Sequence, residues 1–235
     1  MIFVCFALHG MACAEYYDEG NNGDSWETAY VLNTSEDFVL FRDRLKANSD
    51  ATGKYYKLGA DIDLSSLSSW PQYVNFRGHL DGQGHTISMD FTADPYCYGL
   101  FENVNSSSDD AALKNIHFAG RINFYYRGGL VYKLNSGIIE NCTFSGAMGL
   151  AAASSNALGG FAYSVAEGGI IRNCTVSGAV TANLSSWLSD SEELNQRAGG
   201  IAGYLDGGLI ENCTIASGAV ITGRFYAGGI VATLI

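Results

Sequence analysis

Three stretches of the chain carry nearly the same text: SGIIENCTFSGAM at 136–148, GGIIRNCTVSGAV at 168–180 and GGLIENCTIASGAV at 207–220. Repeats this close in sequence fold into repeated units that bury their apolar faces only against one another. LKNIHFAGRI, around Asn115, is a fourth and more distant copy. The asparagines of the four copies, Asn115, Asn141, Asn173 and Asn212, are separated by 26, 32 and 39 residues. A second block recurs between them: RGGLVYKLNSG, LGGFAYSVAEGG, AGGIAGYLDGG and AGGIVATLI, with YGLFENV as an earlier relative. From Gly129, Gly160 and Gly200 to the next repeat asparagine the distance is 12, 13 and 12 residues. The length variation therefore falls in one loop per repeat, between the SGAV-type ending and the next double glycine.

That pattern predicts an architecture. Cysteine and the next apolar residue but one alternate in each copy (Cys142 and Phe144, Cys174 and Val176, Cys213 and Ile215), as one face of a strand requires. The step of three from Ile139 to Cys142, repeated at Ile171 and Ile210, breaks the alternation and places a bend at the intervening asparagine. No copy carries an apolar stripe at helical spacing, and the constant block is too short for a four-stranded propeller blade. The expected fold is all-β, a right-handed parallel β-helix with one repeat per coil. In such a stack equivalent residues lie about 4.8 Å apart. Asn141, Asn173 and Asn212 are then expected to form an amide ladder at the bend. Cys142, Cys174 and Cys213 are expected to form an interior column of free thiols, because parallel Cβ vectors do not aim sulfurs at each other. The three NCT triplets are formal N-glycosylation sequons, but ladder positions leave no room for a glycan.

Four segments follow from this reading. Residues 1–14 form a secretory signal peptide, on the apolar run from Ile2 to Leu8 and the Ala12-Cys13-Ala14 cleavage pattern, although a basic start is missing. Residues 15–34 form a polar leader, and residues 35–54 a helix and turn. Within that segment the helix spans 35–47, with Thr34 or Ser35 as its N-cap and Phe38, Phe41 and Leu45 on one face. It caps the open end of coils that occupy 55–235, with further repeats or domains of the same polypeptide expected beyond. The order helix, KYYKLGADIDLS, FRGHLDGQGHTISM, YGLFENV and then the GGLV and IENCTFSG repeats resembles bacterial surface proteins with GLUG-motif repeats, over residues 24–235. These include adhesin-like proteins and the N-terminal repeats of some immunoglobulin A-cleaving metallopeptidases. The resemblance implies an extracellular, stacked β architecture and assigns no catalytic residue. The chain departs from the motif at its closing glycine, which survives at Gly203 but is Tyr132, Tyr163 and Ala232 elsewhere.

The chemistry-bearing residues narrow the function. A net charge of −11 excludes the basic surface that nucleic acid requires. No zinc-ligand spacing, HExxH, GxSxG or phosphate-binding loop occurs, so no metal or other cofactor is expected. Asp61 and Asp63 of ADIDL, with Asp81 and His85 of LDGQGH, are the acids a β-helical polysaccharide lyase or hydrolase would use. They fall where turns also need Asp and Gly, and they read as structural. Binding is the better expectation, of an extracellular glycan or a host protein, through the variable loops 149–158 and 181–198. Trp187, Tyr125, Tyr126, Phe225 and Tyr226 are the ligand-facing candidates. The sequence thus reads as a non-catalytic exported surface repeat segment, with a β-helical lyase or hydrolase, or an accessory module of a larger metallopeptidase, as alternatives.

Overall fold

The computed structural model describes residues 21–47, 52–67, 70–92, 97–107, 110–124, 127–150, 157–182 and 196–235. The fold is all-β with parallel sheets and one helix among the described residues, and it is β-helix-like. Each repeat pairs in parallel with the repeats before and after it. Val131–Glu140 lies against Ala162–Arg172, with Ile139 opposite Ile171 and Glu140 opposite Arg172. Thr143 lies opposite His117 and Thr175, and Thr175 opposite Thr214. A third, smaller sheet aligns Gly159, Gly199 and Gly228.

The bend between the two larger sheets falls on the repeat asparagine. Asn115, Asn141, Asn173 and Asn212 have φ of 54°, 52°, 55° and 52°. This left-handed conformation is disfavoured for side chains with a Cβ, and asparagine is among the few non-glycine residues that visit it. One left-handed residue redirects the strand, so Ile139 and Cys142, three apart, both point inward and are buried. Cys174 and Ile171 repeat the pair in the next layer, with Phe144 and Val176 beneath them. Side chains this fully buried contribute about 1.5–3 kcal/mol each.

Two further columns fix the register. Gly120, Gly146 and Gly178 stand one above another, and a Cβ at Gly146 would lie 2.0 Å from the Gly120 carbonyl oxygen. The strands approach so closely there that only glycine fits. On the outside, Asp81, Lys114, Glu140, Arg172 and Glu211 pair in sequence, alternating in charge. Arg172 bonds Glu140 at 2.6 Å. A slip of one layer would set like charges opposite each other, which destabilises a sheet.

The helix occupies Ser35–Lys46. Thr34 caps it, accepting from the Asp37 amide, while the Asp37 carboxylate accepts from the Thr34 amide. Phe38, Phe41 and Leu45 are buried. Phe41 packs on Tyr56 at 4.6 Å and Phe76 at 5.7 Å, and Phe38 on Trp70 at 6.1 Å. The stretch read as a polar leader contributes a strand, Tyr30–Leu32, which pairs in parallel with Tyr55–Leu58. Its short apolar run YVL buries Leu32. At the other end of the stack, Leu209–Glu211, Val220–Gly223 and Val231–Leu234 pair along one edge only. There Val220, Leu234 and Ile235 are 53%, 74% and 76% exposed.

Candidate functional site

The acids and histidines of the first layers are held by the backbone. The Asp61 carboxylate accepts from the Thr86 amide (2.8 Å) and lies 3.2 Å from His85 Nδ1. These two contacts, in that order, hold its pKa below the usual carboxylate value. Hydrogen bonds from Ser65 do the same for Asp63. A glycosidase acid needs the opposite shift. Asp81 accepts from the Gln83 amide (2.9 Å) and from Asn115 Nδ2 (3.0 Å), as a turn residue does. His117 has both ring nitrogens engaged by hydroxyls, Nε2 with Ser145 at 2.8 Å and Nδ1 with Thr143. No Ser–His–Asp relay forms here, because the Asp61 carboxylate serves His85 instead. Among the described residues no cluster of three or more His, Cys, Asp or Glu could hold a metal ion.

The repeat asparagines bond to one another at one end of their column. Asn141 Nδ2 donates to Asn115 Oδ1 at 3.4 Å, and Asn115 donates to Asp81. For Asn173 and Asn212 the lasting feature is the left-handed backbone, with the Asn173 amide donating to the Glu211 carbonyl at 3.2 Å. Cys142, Cys174 and Cys213 are free; the first two are buried and the third is half-buried. Cys142 and Cys174 donate to the carbonyls of Glu140 and Arg172, both at 3.2 Å. The neighbouring thiol Cys142 and burial push Cys174 well above a normal thiol pKa; Cys174 and burial do the same for Cys213.

The strongest concentration of recognition chemistry lies elsewhere, just after the double glycines. In RGGLVY and LGGFAY a tyrosine stands three residues after the second glycine, so Tyr132 and Tyr163 meet across the layers. Their ring centroids are 4.9 Å apart and their planes 19° from parallel. In AGGIAGY the tyrosine comes one residue later. Tyr204 therefore pairs with Ser164 rather than Tyr163, and meets the Tyr163 ring edge-on at 5.3 Å and 67°. Tyr98, from YGLF, closes the other end at 5.1 Å from Tyr132. The spacing of the rings is the spacing of the strands.

Basic groups sit over this ladder. The Arg127 guanidinium carbon lies 5.6 Å from both the Tyr132 and the Tyr163 ring. Arg197 lies 5.6 Å from Tyr204 and 5.1 Å from Tyr226, and donates to Tyr204 Oη (3.3 Å) and Thr233 Oγ1 (3.1 Å). Lys133 Nζ is 5.5 Å from Tyr132. Such cation–ring contacts contribute about 0.5–2 kcal/mol each. Burial pushes the Tyr132 hydroxyl above the ordinary tyrosine pKa, so it stays a neutral donor. Tyr132, Tyr163 and Tyr204, with Arg127, Lys133, Ser164 and Ile235, line an open groove of about 280 Å³ that no Asp or Glu enters. Glu102, the nearest acid acting on Tyr132, has its carboxylate on the Tyr73 amide at 2.7 Å.

Of the ligand-facing candidates from sequence, Tyr226 adjoins this groove through Arg197 and is 54% exposed. Phe225 is also exposed, beside Arg224. Trp187, Tyr125 and Tyr126 lie outside the described residues, as do the signal-peptide segment and the centre of loop 181–198. The signal for Tyr132, Tyr163 and Tyr204 was present in sequence, as the tyrosines that replace or follow the closing glycine of the motif; Tyr98 instead precedes Gly99. The signal for Arg127 and Arg197 was their place one and two residues ahead of the double glycines.

No family model matches the chain, and no curated protein matches it. The GLUG-type resemblance therefore rests on the motifs quoted for it. The fold is similar to the crystal structure of a Bacteroides ovatus protein described as a "putative immunoglobulin A1 protease". The TM-score is 0.50 at 18% identity, over 86% of this chain and 78% of that one. At that identity the likeness speaks to the fold alone. No helix among the described residues is long and apolar enough to cross a membrane.

Proposed function

We propose that the chain is a non-catalytic, exported surface module of adhesin type, built as a right-handed parallel β-helix capped by its N-terminal helix. It binds an extracellular glycan along the tyrosine–arginine groove. The observation that carries this reading is the groove itself: Tyr132, Tyr163 and Tyr204, from successive repeats, line it together with Arg127 and Lys133, and no Asp or Glu does. A solenoid that repeats a contact at every layer suits a polymer ligand. The Asp61 carboxylate is taken up by the Thr86 amide and His85, and that of Asp63 by the Ser65 amide, which weighs against the lyase or hydrolase alternative.

A second reading has its own support. In it, the module is the accessory repeat part of a larger surface metallopeptidase. The name of its structural neighbour supports this. The two readings share the binding role.

The test is incubation with a panel of extracellular polysaccharides, scored for both retention on the immobilised glycan and release of new reducing or unsaturated ends. Retention without cleavage is expected. New chain ends, abolished by Asp61→Asn, would overturn the non-catalytic reading.

A further inference from the structure

We infer that the groove selects a saccharide carrying a carboxylate, which it holds on Arg127 and Lys133; the inference rests on the binding role proposed above. The stacked Tyr132 and Tyr163 cover each other's ring faces, so they offer the groove edges and hydroxyls rather than a flat apolar platform. Phenol hydroxyls spaced one layer apart, with the Ser164 hydroxyl beside them, match a polyhydroxylated chain better than an apolar ligand.

The charge requirement comes from Arg127 and Lys133. Both line the groove, and neither has a carboxylate partner among the described residues. A carboxylate fits the guanidinium edge because it takes two parallel N–H donors at once. The surroundings favour an anion too. Arg127 and Lys133 meet at one groove of a chain with net charge −11, and no Asp or Glu lines it. The sheet backbone beneath is fully paired on both sides at Val131–Glu140 and Ala162–Arg172, so a peptide could not add as a strand there.

A uronate of a polysaccharide and a sialic acid of a host glycan offer the same carboxylate, and calorimetric titration separates them. The probes are trigalacturonate, its methyl ester, 3′-sialyllactose and lactose. The inference predicts that at least one acidic probe binds about tenfold or more tightly than its neutral counterpart, and that the acidic probe which binds identifies the source. Arg127→Gln and Lys133→Gln, checked for unchanged circular dichroism, should each reduce that preference while leaving the weaker neutral binding in place. Equal affinity for acidic and neutral probes overturns the carboxylate assignment and leaves the glycan-binding role standing. Absence of binding by all four probes and by the polysaccharide panel overturns both.

Discussion

Replacing Asn173 separates two reasons why the chain keeps asparagine at every bend. Its φ of 55° is a conformation that costs an ordinary side chain about 1–2 kcal/mol. The Asn173 side chain makes no hydrogen bond to Asn141 or Asn212, whereas Asn115 bonds Asp81 at 3.0 Å and Asn141 at 3.4 Å. If backbone conformation is the main requirement, Asn173→Ala should lose that 1–2 kcal/mol. With a urea slope of about 3 kcal/mol/M, the midpoint should fall by about 0.3–0.7 M. Asn173→Gly, which adopts the same φ freely, should stay within about 0.5 kcal/mol of the parent. Asn115→Gly keeps the conformation but breaks two side-chain bonds, so it should lose about 1 kcal/mol more than Asn173→Gly. Urea titration followed by far-ultraviolet circular dichroism reads all three. If Asn173→Gly falls as far as Asn173→Ala, the amide side chain matters and the conformational argument is refuted.

Gly146→Ala places a methyl group 2.0 Å from the Gly120 carbonyl oxygen and should destabilise by about 2 kcal/mol or more, whereas Gly229→Ala, with nothing within 4 Å, should be near neutral; thermal melts compare them. Arg172→Glu sets three carboxylates in one column with Glu140 and Glu211, and should lose about 1 kcal/mol at low salt, less in 1 M sodium chloride. Under native conditions a maleimide probe should label the half-buried Cys213 before the fully buried Cys142 and Cys174, as peptide mapping of timed samples would show. The native pKa values of Cys174 and Cys213 are raised, so these thiols stay protonated in the folded chain when the unfolded chain has already lost its protons. Their contribution to stability is present below the ordinary thiol pKa of about 8.5 and lost as pH rises above it. Cys174→Ala should flatten the decline of the urea midpoint between about pH 8.5 and 10.

Much of the layered fold was legible in sequence because repeated text exposes register directly. The Ile139-to-Cys142 step of three implied a bend, and a left-handed asparagine supplies it. The helix was legible from Thr34, Asp37 and the spacing of Phe38, Phe41 and Leu45. The strand Tyr30–Leu32 was not, since three apolar residues in a polar stretch give no period to read. The groove was harder for a different reason. Tyr132 and Tyr163 stand out in sequence only as exceptions to a motif, and their meaning lies in what stacks on them. Arg127 meets Tyr163, and Arg197 meets Tyr204 and Tyr226, only once the layers are set. Contacts such as Trp26 with Asp110, 84 residues apart, leave no local pattern at all.

The measurement that tests the binding account most directly is the affinity of Tyr132→Phe/Tyr163→Phe for whichever panel glycan the parent chain retains. This double substitution keeps both stacked rings and removes both hydroxyls. The account predicts that affinity falls about tenfold or more, while the urea midpoint moves by no more than about 1–2 kcal/mol of lost hydrogen bonding allows. Unchanged affinity would contradict it, and would leave the tyrosine ladder as packing between layers with no part in recognition.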